Sequence, residues 1–228
     1  LKGIKKRSVS LYIGIPFCPT RCLYCSFISS DMRITAKYID DFVTKLCVEL
    51  EKTAEIVKNL SLSVENIYIG GGTPTSLSEI QLGTLLNKIK SLFYVTKLKE
   101  FTLEAGRPDT ITREKLELAK ACGVGRISIN PQTTCDETLA RIGRRHSTAM
   151  FFDAYKTARE VGFDVINCDL IAGLPGESAE IFRKSIDEVA ALEPENVTIH
   201  SMCVKRAARF AKENSRLAEY AVMNEMLS

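Results

Sequence analysis

Six short apolar runs alternate with longer segments of helical periodicity along this chain. The runs are rich in Ile, Val, Leu, Phe or Tyr and have the length of β-strands. They span residues 10–17, 66–70, 100–105, 126–130, 164–171 and 196–201. The amphipathic segments predict helices over 37–59, 78–93, 112–122, 148–161, 177–192 and 207–227. Apolar strands joined by crossover helices form a parallel sheet covered by helices, so the alternation predicts an α/β fold.

The number of β–α units narrows the architecture further. Six units are two short of a closed (β/α)8 barrel, so either an open doubly wound sheet or an incomplete barrel fits the pattern. In both architectures, ligands bind at the carboxyl ends of the strands. Functional residues are therefore expected in the segments that directly follow the apolar runs.

Composition sets broad limits. The chain has 228 residues, 45% of them hydrophobic and 26% charged, which is ordinary for one globular domain. No apolar stretch approaches the ~18 residues of a membrane span, and a net charge of +3 is too small to indicate nucleic-acid binding. Eight cysteines without a secretory signal predict a cytoplasmic location, with Cys47 and Cys168 buried as small hydrophobes. We expect residues 1–228 to be one domain of a longer protein, with N- and C-terminal regions missing, because the chain starts at Leu1 and stops inside a helical pattern.

Three closely spaced cysteines follow the first apolar run. Cys18, Cys22 and Cys25 have the spacing C-x3-C-x2-C. Three thiolates on one loop can hold three irons of a 4Fe–4S cluster and leave the fourth iron open for chemistry. A zinc site would need a second ligand pair, and neither His146 nor His200 has another ligand at the required spacing. A disulfide framework is typical of shorter, secreted chains. The triplet therefore favours an iron–sulfur cluster with one exchangeable position.

Glycines and acids follow the next strands. Residues 70–75 read Gly-Gly-Gly-Thr-Pro-Thr and lack the Lys-Ser/Thr ending of a phosphate-binding P-loop. Their backbone edge could bind the amino or carboxylate group of an amino-acid ligand, or could simply form a tight turn. Glu104 and Asp169 end the third and fifth strands, and a buried charge needs a partner. They are either members of rim ion pairs or acceptors for a ribose, an amino group or a sulfonium.

Together these residues resemble the radical S-adenosylmethionine enzymes. The motifs are the cysteine triplet, residues 70–75, Glu104-Ala105 and residues 169–176. Within that superfamily, residues 126–132 and 142–147 resemble the oxygen-independent coproporphyrinogen III oxidase branch, of HemN/HemZ type. The resemblance runs from about residue 12 to residue 205, and residues 200–206 resemble the coproporphyrinogen dehydrogenase subgroup called HemZ.

The resemblance implies a fold, cofactors and site residues. The fold would be an incomplete (β/α)6 TIM-like barrel with a parallel sheet. The cluster would bind at Cys18, Cys22 and Cys25, and Tyr24 would lie near the cofactor. One or two S-adenosylmethionine molecules would contact the positions that match the family's binding residues: Tyr12, Gly71, Gly72, Thr73, Glu104, Gln132, Arg144 and Asp169. No catalytic residue beyond the cluster and the cofactor is assigned.

The implied reaction begins when the reduced cluster cleaves the sulfonium bond and releases a 5′-deoxyadenosyl radical. In the oxidase, that radical abstracts hydrogen from a propionate, which loses carbon dioxide and becomes a vinyl group. The partners would be a porphyrinogen or heme and an electron donor such as flavodoxin or ferredoxin. Basic side chains expected near the rim would either recognise the substrate carboxylates or remain solvated surface charges: Arg107, Arg144, Arg145, Lys205, Arg206 and Arg209.

One position departs from the oxidase pattern. The oxidase type has a further cysteine two residues after the third cluster ligand, where this chain has Phe27. The related heme chaperones also lack that cysteine, and they keep the cluster and cofactor site but bind heme. The sequence therefore leaves the oxidase and the heme carrier open, and a third reading is an iron–sulfur domain without cofactor chemistry.

Overall fold

A computed structural model describes residues 7–26 and 32–203, apart from the side chains of Arg33 and Ile34. Six parallel strands form one sheet in sequential order β1-β2-β3-β4-β5-β6. The strands are β1 Ser8–Ile15, β2 Ser63–Gly71, β3 Glu100–Glu104, β4 Arg126–Ser128, β5 Val165–Ala172 and β6 Asn196–Ser201. A doubly wound sheet reverses its strand order at a switch point, whereas barrel strands follow in sequence. The sequential order therefore confirms the incomplete (β/α)6 barrel, with β1 and β6 as the edges of the described sheet.

Seven α-helices occur among the described residues. They are α1 Met32–Thr35, α2 Ile39–Asn59, α3 Glu79–Leu92, α4 Arg113–Ala121, α5 Asp136–Arg141, α6 Thr148–Val161 and α7 Ala179–Ala190. The predicted helices over 37–59, 78–93, 112–122, 148–161 and 177–192 are confirmed as α2, α3, α4, α6 and α7. The sequence did not reveal α1 and α5, which are too short to show a 3.6-residue period. The helix predicted over 207–227 lies outside the described residues, as do Phe27, Lys205, Arg206 and Arg209.

Local sequence signals set the helix ends. Ser78 forms a capping box with Gln81 at the start of α3, in which the Ser78 hydroxyl accepts from the Gln81 N–H at 3.2 Å. Thr112 caps α4 by accepting from the Lys115 N–H at 3.3 Å. Gly162 ends α6 with a φ of 94°, a left-handed conformation that a residue without Cβ adopts readily.

The two faces of the sheet differ in polarity because side chains alternate along each strand. Ile13, Ile67 and Leu103 point to the helices and are buried in one apolar core with Leu85 and Ile89 of α3. Cys47 and Cys168 are also buried, as predicted. The opposite face lies inside the barrel and carries polar side chains joined across neighbouring strands, as in the Asn66–Ser10, Asn167–Ser128 and Thr198–Asn167 hydrogen bonds. The core thus lies outside the sheet, and the interior presents polar groups.

Among the described residues, no helix is long and apolar enough to span a membrane.

Candidate functional site

The cysteine loop is held against the glycine turn. Cys18 is buried, and its Sγ lies 3.3 Å from the Thr73 Oγ1. Backbone hydrogen bonds join the same two loops, since the Gly72 N–H donates to the Ile15 carbonyl at 2.7 Å and the Thr73 N–H to the Phe17 carbonyl at 2.8 Å. Burial raises the pKa of the Cys18 thiol to about 11, while Thr73 and a nearby arginine oppose the rise. The sequence motif at 70–75 therefore positions the first cysteine of the triplet.

All three cysteines of the triplet are free of disulfide bonds, and Cys22 and Cys25 are close enough to Cys18 for their charges to act on it. Cys22 is buried, Cys25 is half-buried, and the Cys25 N–H donates to the Cys22 carbonyl at 3.1 Å. Within residues 7–26 and 32–203, no three His, Cys, Asp or Glu side chains are close enough to ligate a single ion. The cysteines of a cubane cluster bind different irons and so stand further apart than the ligands of one ion. The thiol-only donor set therefore fits an iron–sulfur cluster.

Arg144 lies buried behind the cysteine loop. Its Nη1 donates to the Asn130 carbonyl at 2.8 Å and to the Gly106 carbonyl at 3.1 Å, and its Nη2 donates to the Tyr24 hydroxyl at 3.2 Å. Desolvation raises the pKa of Tyr24, and the Arg144 charge opposes that rise. The Arg144 Nε is buried without a hydrogen-bond partner in the part of the chain described. A buried, unpartnered donor at a ligand rim fits an acceptor supplied by a bound molecule.

Glu104 and Asp169 lie close enough for the Asp169 charge to act on the Glu104 carboxyl. The pKa of Glu104 is raised to about 7 by burial and, second, by the Asp169 charge, although the Gly71 N–H and Tyr68 donate hydrogen bonds to it. Asp169 accepts a hydrogen bond from the Asn167 amide at 2.7 Å. A carboxyl group whose ionisation is disfavoured by burial and by a neighbouring acid favours a cationic ligand.

Glu104 and Tyr68 pack closely against the glycine turn. A Cβ on Gly70 would come within 2.7 Å of the Glu104 Oε2 and 2.5 Å of the Tyr68 ring. Gly71 has a φ of 111°, and a Cβ there would lie 2.9 Å from the Ile15 backbone. The turn therefore needs glycine because neighbouring protein atoms approach its backbone closely; binding of an amino-acid ligand by this backbone stays a prediction.

Two further predicted residues, Gln132 and Tyr12, lie next to Asp169 and Tyr68 respectively. Gln132 is buried with a positive φ of 68°, and its backbone bonds both Asp169 and Ile171 of β5 at 2.9 Å. Tyr12 is exposed and stacks on Tyr68 with ring centroids 5.8 Å apart. Partial burial and the Glu104 charge raise the pKa of Tyr12, so it borders the acidic pair.

The interpretation of the rim arginines as solvated charges is wrong for two of them. Arg107 and Arg144 are buried because loop carbonyls, hydroxyls and a carboxylate accept from their guanidinium groups, whereas Arg145 is exposed. Sequence reasoning also missed Tyr68 as a neighbour of Glu104. Its position two residues before Gly70 on the same strand face was the available signal.

Comparison with known proteins agrees with this geometry. The sequence model of the Radical SAM superfamily matches residues 12–189. The oxygen-independent coproporphyrinogen-III oxidase-like protein HemZ of Bacillus subtilis is 42% identical over 212 residues, covering 92% of this chain and 42% of that protein. The heme chaperone HemW of the same species is 39% identical over 197 residues, covering 86% of this chain and 51% of that protein.

A solved structure of a radical SAM enzyme has the same fold as this chain. Coproporphyrinogen III oxidase HemN from Escherichia coli, a radical SAM enzyme, superimposes with a TM-score of 0.83 at 27% identity, covering 97% of this chain and 51% of that one. The chain spans about half the length of the curated relatives it matches. Its cofactors are a 4Fe–4S cluster and S-adenosylmethionine, for which the thiols and the acidic rim are suited. The chain belongs to the Radical SAM superfamily and, within it, to the HemN/HemZ-type branch.

Proposed function

We propose that this chain is the radical-generating domain of an oxygen-independent coproporphyrinogen III oxidase-like enzyme that converts propionate side chains to vinyl groups. The observation that carries the proposal is the joint position of the cysteine loop and the Glu104–Asp169 pair at the carboxyl ends of one parallel sheet. One edge therefore offers three thiols for a cluster and two acids for a sulfonium ligand.

Different residues would bind the cluster and the S-adenosylmethionine. Cys18, Cys22 and Cys25 would hold the cluster, and the Gly71–Thr73 backbone with the free Arg144 Nε would orient the amino-acid end of S-adenosylmethionine. Glu104, Asp169, Gln132 and Tyr12 would line the ribose and sulfonium, and Tyr24 would hold Arg144 in place. When bound and reduced by one electron, the cluster and S-adenosylmethionine supply a carbon radical that abstracts hydrogen. The electron would come from a small low-potential protein such as flavodoxin or ferredoxin.

The substrate class rests on the relatives. One is described as an oxidase-like protein of coproporphyrinogen III, and the structural neighbour is such an oxidase. The polar inner face of the barrel and the exposed Tyr12 beside Glu104 leave an accessible surface next to the cofactor rim where a substrate could bind. The proposed radical would form at this rim, close to that surface.

A heme carrier is the second candidate function. Its support is the similarity to the heme chaperone HemW at 39% identity, together with Phe27 at the position where the oxidase type has cysteine. On this alternative the rim would serve heme transfer, and the tetrapyrrole would leave chemically unchanged.

One anaerobic assay separates the two functions. Full-length protein with a reconstituted cluster is incubated with S-adenosylmethionine, a reductant and coproporphyrinogen III, and the tetrapyrrole product is identified by mass. The enzyme predicts loss of carbon dioxide from propionates. Cofactor cleavage without a decarboxylated product, combined with stoichiometric heme binding and transfer, would establish the carrier instead.

A further inference from the structure

We infer that Arg107 is a positioning residue that donates a hydrogen bond to the cluster ligand Cys22 and raises the reduction potential of the cluster. The inference rests on the proposed cluster site, since it concerns one of the three cysteines assigned there. It assigns a function to a buried cation that neither the resemblance nor the comparisons connect with the cluster.

Arg107 is enclosed, and its guanidinium is fully used. The residue is 2% exposed. A guanidinium has five N–H donors, and Arg107 makes five side-chain hydrogen bonds. Two go to the Asp109 carboxylate at 3.1 and 3.2 Å. The other three go to the cysteine loop: to the Thr20 carbonyl at 3.3 Å, the Thr20 hydroxyl at 3.0 Å and the Cys22 Sγ at 3.7 Å.

This arrangement fixes the loop as well as the sulfur. The Thr20 hydroxyl, which accepts from Arg107, donates to the Gly143 carbonyl at 3.0 Å. The cysteine loop is thereby tied both to the segment after β3 and to the segment before α6. A cation whose donors are all matched by acceptors is held in one orientation, so the N–H that points at Cys22 is preorganised.

The electrostatic consequence follows from the charge change on reduction. A cluster bound at these cysteines would gain one negative charge when an external donor supplies one electron. A nearby positive charge and an N–H donated to a ligand sulfur both favour the more negative state and so raise the potential. Asp109 opposes this effect because it places a negative charge on the far side of the same guanidinium.

The other charged groups around Arg107 are accounted for. Arg144 is a second buried cation beside Cys22. His146 contributes no positive charge, because burial and Arg144 lower its pKa to about 3. The position of Arg107 next to a ligand sulfur therefore predicts opposite effects for removing its charge and for removing the charge of Asp109.

The test is an anaerobic redox titration of the full-length, cluster-loaded protein with dithionite, followed by the electron paramagnetic resonance signal of the reduced cluster. Arg107→Gln removes the charge and should shift the midpoint to more negative potential. Asp109→Asn removes the opposing charge and should shift it to more positive potential. Arg113→Gln, on the exposed surface, is the matched control and should leave the potential unchanged.

Each outcome decides the inference. Equal potentials in wild type and Arg107→Gln, or shifts of the same sign in both variants, would overturn it and leave Arg107 as a loop clamp. If Arg107→Gln fails to take up iron and sulfide, Asp109→Asn decides: a rise in its potential supports the inference, and an unchanged or lower potential overturns it. Failure of the wild-type chain to take up a cluster would instead overturn the proposed function.

Discussion

Replacement of Glu104 by glutamine tests whether the ionised Glu104 carboxylate lowers the folding stability of the ligand-free protein while strengthening the binding of a cationic ligand. Folding raises the pKa of this carboxyl from its ordinary 4.5 to about 7, chiefly by burial and then by the Asp169 charge. A carboxyl whose pKa is raised in the folded state contributes stability below pH 4.5, and that contribution is lost as the pH rises through about 7. Above that pH, the ionised side chain destabilises the ligand-free protein.

The expected change in the free energy of unfolding follows from the size of the Glu104 pKa shift. About 1.4 kcal/mol per pH unit gives a ceiling of about 3 kcal/mol for the loss between these two pH values. Because Glu104 is only half-buried, solvent screening lowers the expected effect to about 1–2 kcal/mol. Glu104→Gln cannot ionise and keeps nearly the same shape. It should therefore be more stable than wild type at pH 8 by that amount and nearly equal to it at pH 4, below the ordinary pKa of the carboxyl.

The assay is urea unfolding of the ligand-free protein at both pH values, together with calorimetric titration of the cluster-loaded protein with S-adenosylmethionine. The variant should gain stability yet bind the sulfonium ligand more weakly, and its binding should lose the rise with pH expected for wild type near 7. Glu117→Gln, on the exposed side of α4, is the control and should change neither quantity. Equal or lower stability of Glu104→Gln at pH 8 would show that the ionised carboxylate does not destabilise the ligand-free rim.

Two further predictions concern the turn and the cluster. Gly71→Ala should destabilise the protein by about 3 kcal/mol, because a positive φ costs a non-glycine residue about 1–3 kcal/mol and the new Cβ would overlap the Ile15 backbone. Gly125→Ala is the control, since a Cβ there would meet open space, and it should change the thermal unfolding temperature little. Equal losses of stability in both variants would mean that the turn does not require glycine. Cys22→Ala should abolish the iron–sulfur absorbance and all cleavage of S-adenosylmethionine, whereas the buried Cys47→Ala should keep both, measured by iron and sulfide content and by 5′-deoxyadenosine release. Equal loss in the two cysteine variants would mean that the ligands are misassigned.

The sequence predicted much of the fold because its signals are periodic and local. Alternating apolar runs identified all six strands, and the ends of α3 and α6 matched their caps at Ser78 and Gly162. The cysteine spacing and the glycine turn also lie within short stretches. The segments after the strands collect on one edge of a parallel sheet, so these local motifs predicted a common rim.

The remaining features depend on contacts between distant residues. The sequence shows Arg107 only as a charge near the rim, because its burial requires acceptors from Thr20, 87 residues away along the chain. The pair Arg107-x-Asp109 was the one local hint. Likewise, the positive φ of Gln132 results from its bridge to Leu170 of β5, which no local pattern encodes.

The most direct test of the proposed function follows the hydrogen atom. The cluster-loaded, full-length protein is given coproporphyrinogen III deuterated on the propionate carbons, with S-adenosylmethionine and a one-electron reductant under anaerobic conditions. The oxidase function predicts deuterium in the released 5′-deoxyadenosine and a vinyl-bearing tetrapyrrole that has lost carbon dioxide. Unlabelled 5′-deoxyadenosine with the porphyrinogen recovered unchanged would contradict it.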